Sequence, residues 1–390
     1  MRLNRLKQAG AAFALACILG APAQAAPINP SRDDEVVELL PPVSGGRAEA
    51  RRQRQQLARQ PRDPALALAV ARRYLDQAHV QGDPRYAGMA MAAIAPWSTD
   101  PATPDDVLLM RAGLQQYLHE FDASAASLQT LLARPGGGAE RSQAWLTLAT
   151  VRRVQGRYAD SDAACAEVMR VGAAVYGQAC VAENLALRGE FDRARAAFTR
   201  LLADRNQPAA LQAWLSTSLA ELEQRAGRAD AAERTFRAAL KLDADPYTTL
   251  AYADLLIDEK RPAQALALLK GQVRSDAVLL RLAIAGKQAG AATAVADIAE
   301  MRERIALANE RPDAKVFHGR EQAMFALGVD GDGAAALELA RANAAHQREP
   351  LDLLVLARAA RASGQPAAVD EAKRVAAQIG LVDRRLALQP

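Results

Sequence analysis

The chain has 390 residues and a formal net charge of +4, which falls to +1 without the three basic residues near its start, Arg2, Arg5 and Lys7. A nearly neutral chain lacks the electrostatic attraction of basic proteins to nucleic acids and anionic membranes, so nucleic acid is not an expected partner. Hydrophobic residues make up 50% of the chain but aromatic residues only 4%. The core must therefore consist mainly of alanine, leucine and valine. Because alanine is the strongest helix former, the composition predicts an all-α protein.

The first 25 residues have the pattern of a secretory signal peptide. Three basic residues precede an apolar run from Ala9 to Ala21, and Ala23-Gln24-Ala25 forms an A-x-A cleavage site. The apolar run is too short to span a bilayer, and no later segment is long and apolar enough to do so. The pattern predicts a signal peptide at residues 1–25 and a periplasmic mature protein without a transmembrane segment. A lipid anchor on Cys17 is the alternative, but the three residues before it form a poor lipobox.

Two segments lie between the signal peptide and the regular part of the chain. Residues 26–46 are rich in proline and glycine and predict a tether, which could dock locally through its short apolar stretch Val36–Leu40. Residues 47–60 are polar and end at Pro61. They predict a helix that caps a stack, because the terminal unit of a stack must expose one face to water.

A turn signal then recurs along the rest of the chain at intervals of 30 to 41 residues. Glycine is the usual residue at this point, because the end of a helix commonly requires a left-handed backbone conformation. Two positions depart from glycine, His119 and Lys260. The nine equivalent turn residues are Gly82, His119, Gly156, Gly189, Gly227, Lys260, Gly290, Gly331 and Gly364.

Small residues recur in register with these turns. If each turn residue is numbered position 15 of its unit, position 8 is alanine in seven of the nine units. Position 20 is again small or short, and such residues allow two helices to approach closely. Its nine occupants are Ala87, Ser124, Ser161, Ala194, Ala232, Ala265, Val295, Ala336 and Val369.

The stretch Gly227–Pro246, GRADAAERTFRAALKLDADP, carries the whole pattern: the glycine, Ala232, Phe236 and Ala239 on one helix face, and a proline that begins the next unit. It resembles the tetratricopeptide (TPR) repeat, whose unit has about 34 residues. The resemblance implies that residues 47–390 form an α-solenoid, a right-handed superhelix of about nine TPR-like helix pairs. Residues 379–390 are too few for another pair and are expected to fray or to form a cap. The resemblance also implies that a partner binds along the concave face, at positions 2, 5, 9, 12 and 13 of each unit.

The sequence contains none of the common catalytic or nucleotide-binding motifs. There is no G-x-x-x-x-G-K-[ST], H-E-x-x-H, G-x-S-x-G or C-x-x-C. Asp330-Gly331-Asp332-Gly333 begins like a calcium loop but lacks its third acid and closing glutamate. We therefore expect a protein that is not an enzyme, with no cofactor, no metal site and no catalytic residue.

Two cysteines remain after the signal peptide. Cys165 falls in the second helix of the third unit and Cys180 in the first helix of the fourth, at similar distances from the loop between them. In an oxidising periplasm they could form a disulfide. The alternative is that both are free and buried, as cysteine often is.

Reading the concave-face positions gives one candidate site in units four to six. Position 2 is aromatic and position 9 is acidic in all three units, and residues seven apart lie on one helical face. Aromatic side chains provide contact area at low entropic cost, and carboxylates select basic groups. The six candidate partner-binding residues are Tyr176, Trp214, Tyr247, Glu183, Glu221 and Asp254.

These observations favour a non-catalytic periplasmic TPR scaffold or adaptor that binds a protein or peptide partner in its concave groove, in a cell-envelope process. The partner and the oligomeric state are left open. The alternative is a carbohydrate- or peptidoglycan-binding module that uses the aromatic residues as a ladder for sugar rings.

Overall fold

The computed structural model describes residues 45–310 and 319–387. The predicted signal peptide, Cys17 and nearly all of the predicted tether therefore lie outside the described residues. From Ala50 onward the described residues form one compact unit. No helix in them is long and apolar enough to cross a membrane.

Within these two ranges the chain is all-α, with a short 3-10 helix at Ala95–Trp97 and a π-helical turn at Ala326–Asp330. The first ten α-helices are α1 (Gly45–Arg59), α2 (Pro64–Gln81), α3 (Pro84–Ala93), α4 (Asp105–Tyr117), α5 (Phe121–Leu132), α6 (Ala139–Val154), α7 (Tyr158–Arg170), α8 (Ala174–Leu187), α9 (Phe191–Ala203) and α10 (Ala209–Arg225). The others are α11 (Ala229–Leu242), α12 (Pro246–Asp258), α13 (Pro262–Leu269), α14 (Asp276–Ala289), α15 (Ala294–Asn309), α16 (Gly319–Phe325), α17 (Gly333–Ala344), α18 (Pro350–Ala362), α19 (Pro366–Ile379) and α20 (Arg384–Ala387).

Helices α2 to α19 pack as nine consecutive pairs in the described part of the chain. The first helix of each pair also contacts the first helix of the next, from α2 to α18. A single pair cannot bury its own apolar face, and stacking on its neighbours buries it. The prediction of an α-solenoid of about nine TPR-like helix pairs is thus confirmed.

The nine predicted turn residues all have a left-handed backbone, with φ between +58° and +82°. His119 and Lys260 adopt this conformation although they are not glycine, with φ of 60° and 58°. The turn therefore requires a left-handed backbone but not a glycine. His119 and Lys260 bear the steric cost of that conformation.

Helix starts follow local signals in the sequence. The side chains of Asp63, Asp83 and Asp245 each accept a hydrogen bond from a backbone N–H in the first turn of the helix that follows. Proline stands at the start of the same three helices, where its missing N–H costs no hydrogen bond. A helix start can therefore be recognised from the local sequence, as an aspartate or serine followed by proline or a polar residue.

The predicted small-residue column is wrong in two units. Position 20 is fully buried in most pairs, but Val295 in α15 is 78% exposed and Val369 in α19 is only partly buried. The preceding residues, Ala294 and Ala368, are buried in their place. The second helix of these two pairs thus presents the neighbouring position to its partner, and in both cases that position is the smaller alanine.

The end of the chain packs against the middle of the solenoid. The backbone N–H of Val382 donates to the Leu187 carbonyl at 2.8 Å, and that of Arg348 donates to the Val154 carbonyl at 2.7 Å. Tyr158 and Leu187 share a core cluster with residues of α16 to α19. The last pairs therefore contact the third and fourth pairs directly, and the described part of the tail is docked on this surface.

Candidate binding cavity

The contact between late and early pairs borders a cavity of about 980 Å³ that is partly open to solvent. One wall is formed mainly by first helices, α6, α8, α10, α12 and α14. The opposite wall comes from α16, α18 and Arg385 of α20. The C-terminal pairs therefore cover part of the concave surface, and one side of the cavity stays open.

Five of the six predicted partner-binding residues line this one cavity: Trp214, Tyr247, Glu183, Glu221 and Asp254. Tyr176 does not line it. Its ring lies against that of Trp214, with centroids 6.0 Å apart and planes inclined by 33°. Tyr176 is 42% exposed and Tyr247 is 60% exposed. The aromatic row thus continues from the cavity wall to the outer surface.

Two of the three predicted acids are paired with arginines from adjacent helix pairs. Glu183 forms an ion pair with Arg153 of α6 and accepts a hydrogen bond from Ser218 at 2.8 Å. Asp254 accepts two hydrogen bonds from Arg281 of α14, at 2.9 and 2.7 Å. These carboxylates are neutralised within the protein, so a basic partner would have to compete with the arginines.

Sequence reasoning missed both arginines. Arg153 lies three residues before Gly156, at position 12, which is one of the concave-face positions. Reading all five positions would have found it. Arg281 lies nine residues before Gly290, at a position outside that set, and no signal in the repeat pattern identified it.

Glu221, the third predicted acid, has a different environment. The Tyr247 hydroxyl donates to its Oε1 at 2.6 Å, and no ion pair joins it to a described residue. Burial raises the pKa of Glu221 above its usual range. The adjacent Glu221 charge raises the pKa of Tyr247 well above its usual value. The carboxylate is therefore the acid of the row that gains most from an added cation.

The wall opposite α10 contains a charge cluster that the sequence did not indicate. Arg320 lies 3.2 Å from Glu321, 3.1 Å from Glu349 and 3.4 Å from Asp352. Asn343 donates to Asp352 at 2.8 Å. Burial raises the pKa of Asp352 to about 7, although Arg320 opposes the shift. One arginine thus serves three carboxylates here, and two more arginines, Arg358 and Arg385, lie on the same wall.

Cys165 and Cys180 are joined by a disulfide, with Cα atoms 5.7 Å apart. Both residues are buried in the core cluster of α4 to α8 and do not line the cavity. The bond links the second helix of the third pair to the first helix of the fourth. Its position makes it a link between adjacent pairs.

No group of three or more histidine, cysteine, aspartate or glutamate side chains in residues 45–310 and 319–387 is arranged to hold a metal ion.

No family model and no curated protein matches the sequence. The solved structures that are similar to the chain include the following three. The Rap protein complexed with competence and sporulation factor has a TM-score of 0.48 and 14% identity, and the match covers 88% of this chain and 93% of that chain. Pseudomonas aeruginosa PilF has a TM-score of 0.37 and 15% identity, over 51% of this chain and 90% of that chain. The P58(IPK) TPR domain has a TM-score of 0.22 and 13% identity, over 86% of this chain and 94% of that chain. All three lie below a TM-score of 0.5, so what those proteins bind does not bear on this chain.

Proposed function

We propose that the protein is a non-catalytic periplasmic scaffold or adaptor that binds a peptide segment of a protein partner inside its cavity, in a cell-envelope process. The observation that carries the proposal is the partly covered cavity of about 980 Å³ between the first helices and the C-terminal pairs. This volume is at the upper end of the range for small-molecule sites, roughly 300–1,000 Å³. It suits a short peptide and is far too small for a folded domain.

The cavity lining supports the same conclusion. Trp214 and Tyr247 present aromatic surface that can be buried at low entropic cost. The threonines Thr150, Thr217 and Thr248 also line the cavity. A mixture of aromatic and polar groups is suited to a peptide, which has both apolar side chains and a polar backbone. Export to the periplasm is supported by the signal-peptide pattern and by the paired cysteines.

A photo-crosslinking amino acid at position 247 tests the proposal in the intact periplasm. The same amino acid at position 295 is the control, because Val295 is exposed on α15 and does not line the cavity. We expect a protein crosslinked through position 247 and absent from the position 295 sample. Its crosslinked segment, identified by mass spectrometry, should be short and extended. Absence of any crosslink specific to position 247 would contradict the proposal.

The carbohydrate alternative makes a separate prediction. A sugar ladder needs free ring faces, and Tyr176 and Trp214 lie against each other with centroids 6.0 Å apart. This contact covers part of both rings and favours the peptide proposal. Titration with soluble cell-wall glycan, followed by tryptophan fluorescence, decides between the two. A saturable change that is lost in Trp214→Phe would support the carbohydrate function instead.

A further inference from the structure

Helix α10 carries two opposite charges, Glu221 and Arg225, that do not pair with each other. Glutamate four residues before a cation is the favourable orientation for an ion pair on a helix. Here no nitrogen of Arg225 lies within 4.0 Å of a Glu221 oxygen. Glu221 is instead bonded to Tyr247. Both residues line the cavity.

Arg225 is a buried cation without a partner in the described structure. Its side chain belongs to a residue that is 7% exposed, and its Nε donates no hydrogen bond. A guanidinium cannot lose its charge in a protein, and burying it unpaired is unfavourable. The other arginines of the cavity wall each pair with a carboxylate: Arg153, Arg281, Arg320, Arg358 and Arg385. Arg225 therefore lacks an anion that every comparable arginine has.

A second unsatisfied donor lies near this guanidinium. Tyr158 is 4% exposed, lines the cavity, and its hydroxyl oxygen has no hydrogen-bond partner. Burial raises the pKa of Tyr158 to about 12, against the opposing effect of the Arg225 charge. The phenol thus keeps its proton at neutral pH and can donate it. Two buried donors without an acceptor, both on residues that line one cavity, are unusual, because buried polar groups are normally satisfied.

Glu221 is the complementary case, a carboxylate with no cation within 4.0 Å. Tyr247 donates to its Oε1. Its Oε2 is available to a ligand. An ammonium group at this oxygen would replace the hydration that burial has removed. The cavity therefore lacks one cation and one anion, at positions one helical turn apart.

We propose that the cavity binds a short zwitterionic peptide, with its free ammonium group at Glu221 and its free carboxylate at the Arg225 guanidinium, beside Tyr158. This proposal goes beyond the proposed function, because it gives the same cavity a second kind of ligand, a free peptide that is not a segment of a protein partner. The Cβ atoms of residues four apart on a helix are roughly 5–6 Å apart, and the two charged groups are more than 4.0 Å apart. An extended peptide spans about 3.3–3.6 Å per residue, so one residue is shorter than this minimum separation, and two or three residues are long enough to span it.

Binding of trialanine, measured by calorimetry, tests the proposal. The unblocked peptide is compared with N-acetyl-trialanine and with trialanine amide, each of which lacks one terminal charge. We expect the unblocked peptide to bind at least tenfold more tightly than either blocked form. Free alanine should bind at least tenfold more weakly than trialanine. Equal binding of blocked and unblocked peptides, tighter binding of free alanine, or no binding at all would overturn the proposal.

Two variants assign the termini. Glu221→Gln should lose the preference for a free over an acetylated amine and keep the preference for the carboxylate over the amide. Arg225→Gln should show the reverse. The control is Arg193→Gln, which changes an exposed arginine outside the cavity and should leave both preferences intact.

A stability measurement separates a ligand-binding arginine from a structural one. Arg225→Gln removes a cation with no partner, so it should not lower the melting temperature. Arg281→Gln breaks the ion pair with the carboxylate of Asp254 and should lower it. An equal loss in both variants would show that Arg225 has a structural partner and would overturn the proposal. A crosslink through position 247 without trialanine binding would overturn this inference and leave the proposed function in place.

Discussion

Gly189 ends the first helix of the fourth pair at the point where the C-terminal segment passes over it. Its φ is +82°, and a Cβ atom added there would lie 2.8 Å from Cβ and 2.9 Å from Cγ1 of Val382. Gly364 has the same role in the ninth pair, with φ of +67°, but an added Cβ atom would meet nothing within 4 Å. The substitutions Gly189→Ala and Gly364→Ala therefore share the backbone strain and differ in the contact with the tail.

The structure allows the difference between the two variants to be estimated. A left-handed alanine costs about 1–2 kcal/mol in both. In Gly189→Ala the tail must also move, which weakens the hydrogen bond from the Val382 N–H to the Leu187 carbonyl. Such a bond contributes about 1 kcal/mol net. The movement also exposes the adjacent Leu381, which is buried, and full exposure of a leucine costs about 1.5–3 kcal/mol. We expect Gly189→Ala to be less stable than Gly364→Ala by about 2 kcal/mol.

Two measurements test this prediction. Urea unfolding should give a lower free energy of unfolding for Gly189→Ala, and trypsin should cleave after Arg384 or Arg385 faster than in Gly364→Ala. Equal stability and equal cleavage in both variants would refute the reasoning, because the tail would then contribute nothing at this contact.

Three further predictions concern the disulfide and two titrating acids. Reduction, or replacement of both Cys165 and Cys180 by alanine, should lower the free energy of unfolding by about 3 kcal/mol, the value for a loop of about 15 residues, and unchanged unfolding in reductant would contradict this. The pKa of Asp352 is raised to about 7, so its contribution to stability is fully present below its ordinary pKa of 3.8 and is lost as the pH rises to 7. The difference in unfolding free energy between wild type and Asp352→Asn should therefore shrink from pH 4 to pH 7.5. A constant difference would contradict the raised pKa of Asp352. Hydrogen bonds from Arg261 lower the pKa of Glu233 from 4.5 to about 2, so its contribution is present above pH 4.5 and lost as the pH falls toward 2. After solvent screening, the contribution of Glu233 to the free energy of unfolding should amount to about 1 kcal/mol. The wild type should lose this amount as the pH falls, and Glu233→Gln should not.

The fold was predictable because its main signals are local. A glycine at a helix end, an aspartate and proline at the next helix start, and an alanine at the closest approach each act within a few residues. His119 and Lys260 show that even the exceptions keep the turn conformation. The prediction failed at Val295 and Val369, where an alanine stands next to the predicted position. In an alanine-rich chain two adjacent positions satisfy the same packing requirement, so the sequence does not distinguish them.

The candidate site was predictable only in part. The repeat register identifies Trp214, Glu221 and Asp254 as concave-face residues, because the register depends only on the spacing of residues within each helix. The partner of Asp254 comes from the next pair, and the contact of Val382 with Leu187 joins residues that are far apart in the sequence. These contacts depend on how far each pair is rotated from the last, and no local pattern determines that rotation.

The partial cover over the concave face also changes how its charges must be interpreted. On an open groove, solvent would screen unpaired carboxylates and arginines at little cost. Inside a cavity the loss of solvent makes an unpaired charge unfavourable, and this accounts for the arginine partners of Glu183 and Asp254. By the same reasoning Glu221 and Arg225 are the informative residues, because they remain unpaired where their neighbours do not. A cavity whose charges were all paired would bind a ligand through shape and aromatic contact alone. The two unpaired charges add a requirement for opposite charges at a fixed separation, and specificity in this protein should depend on them.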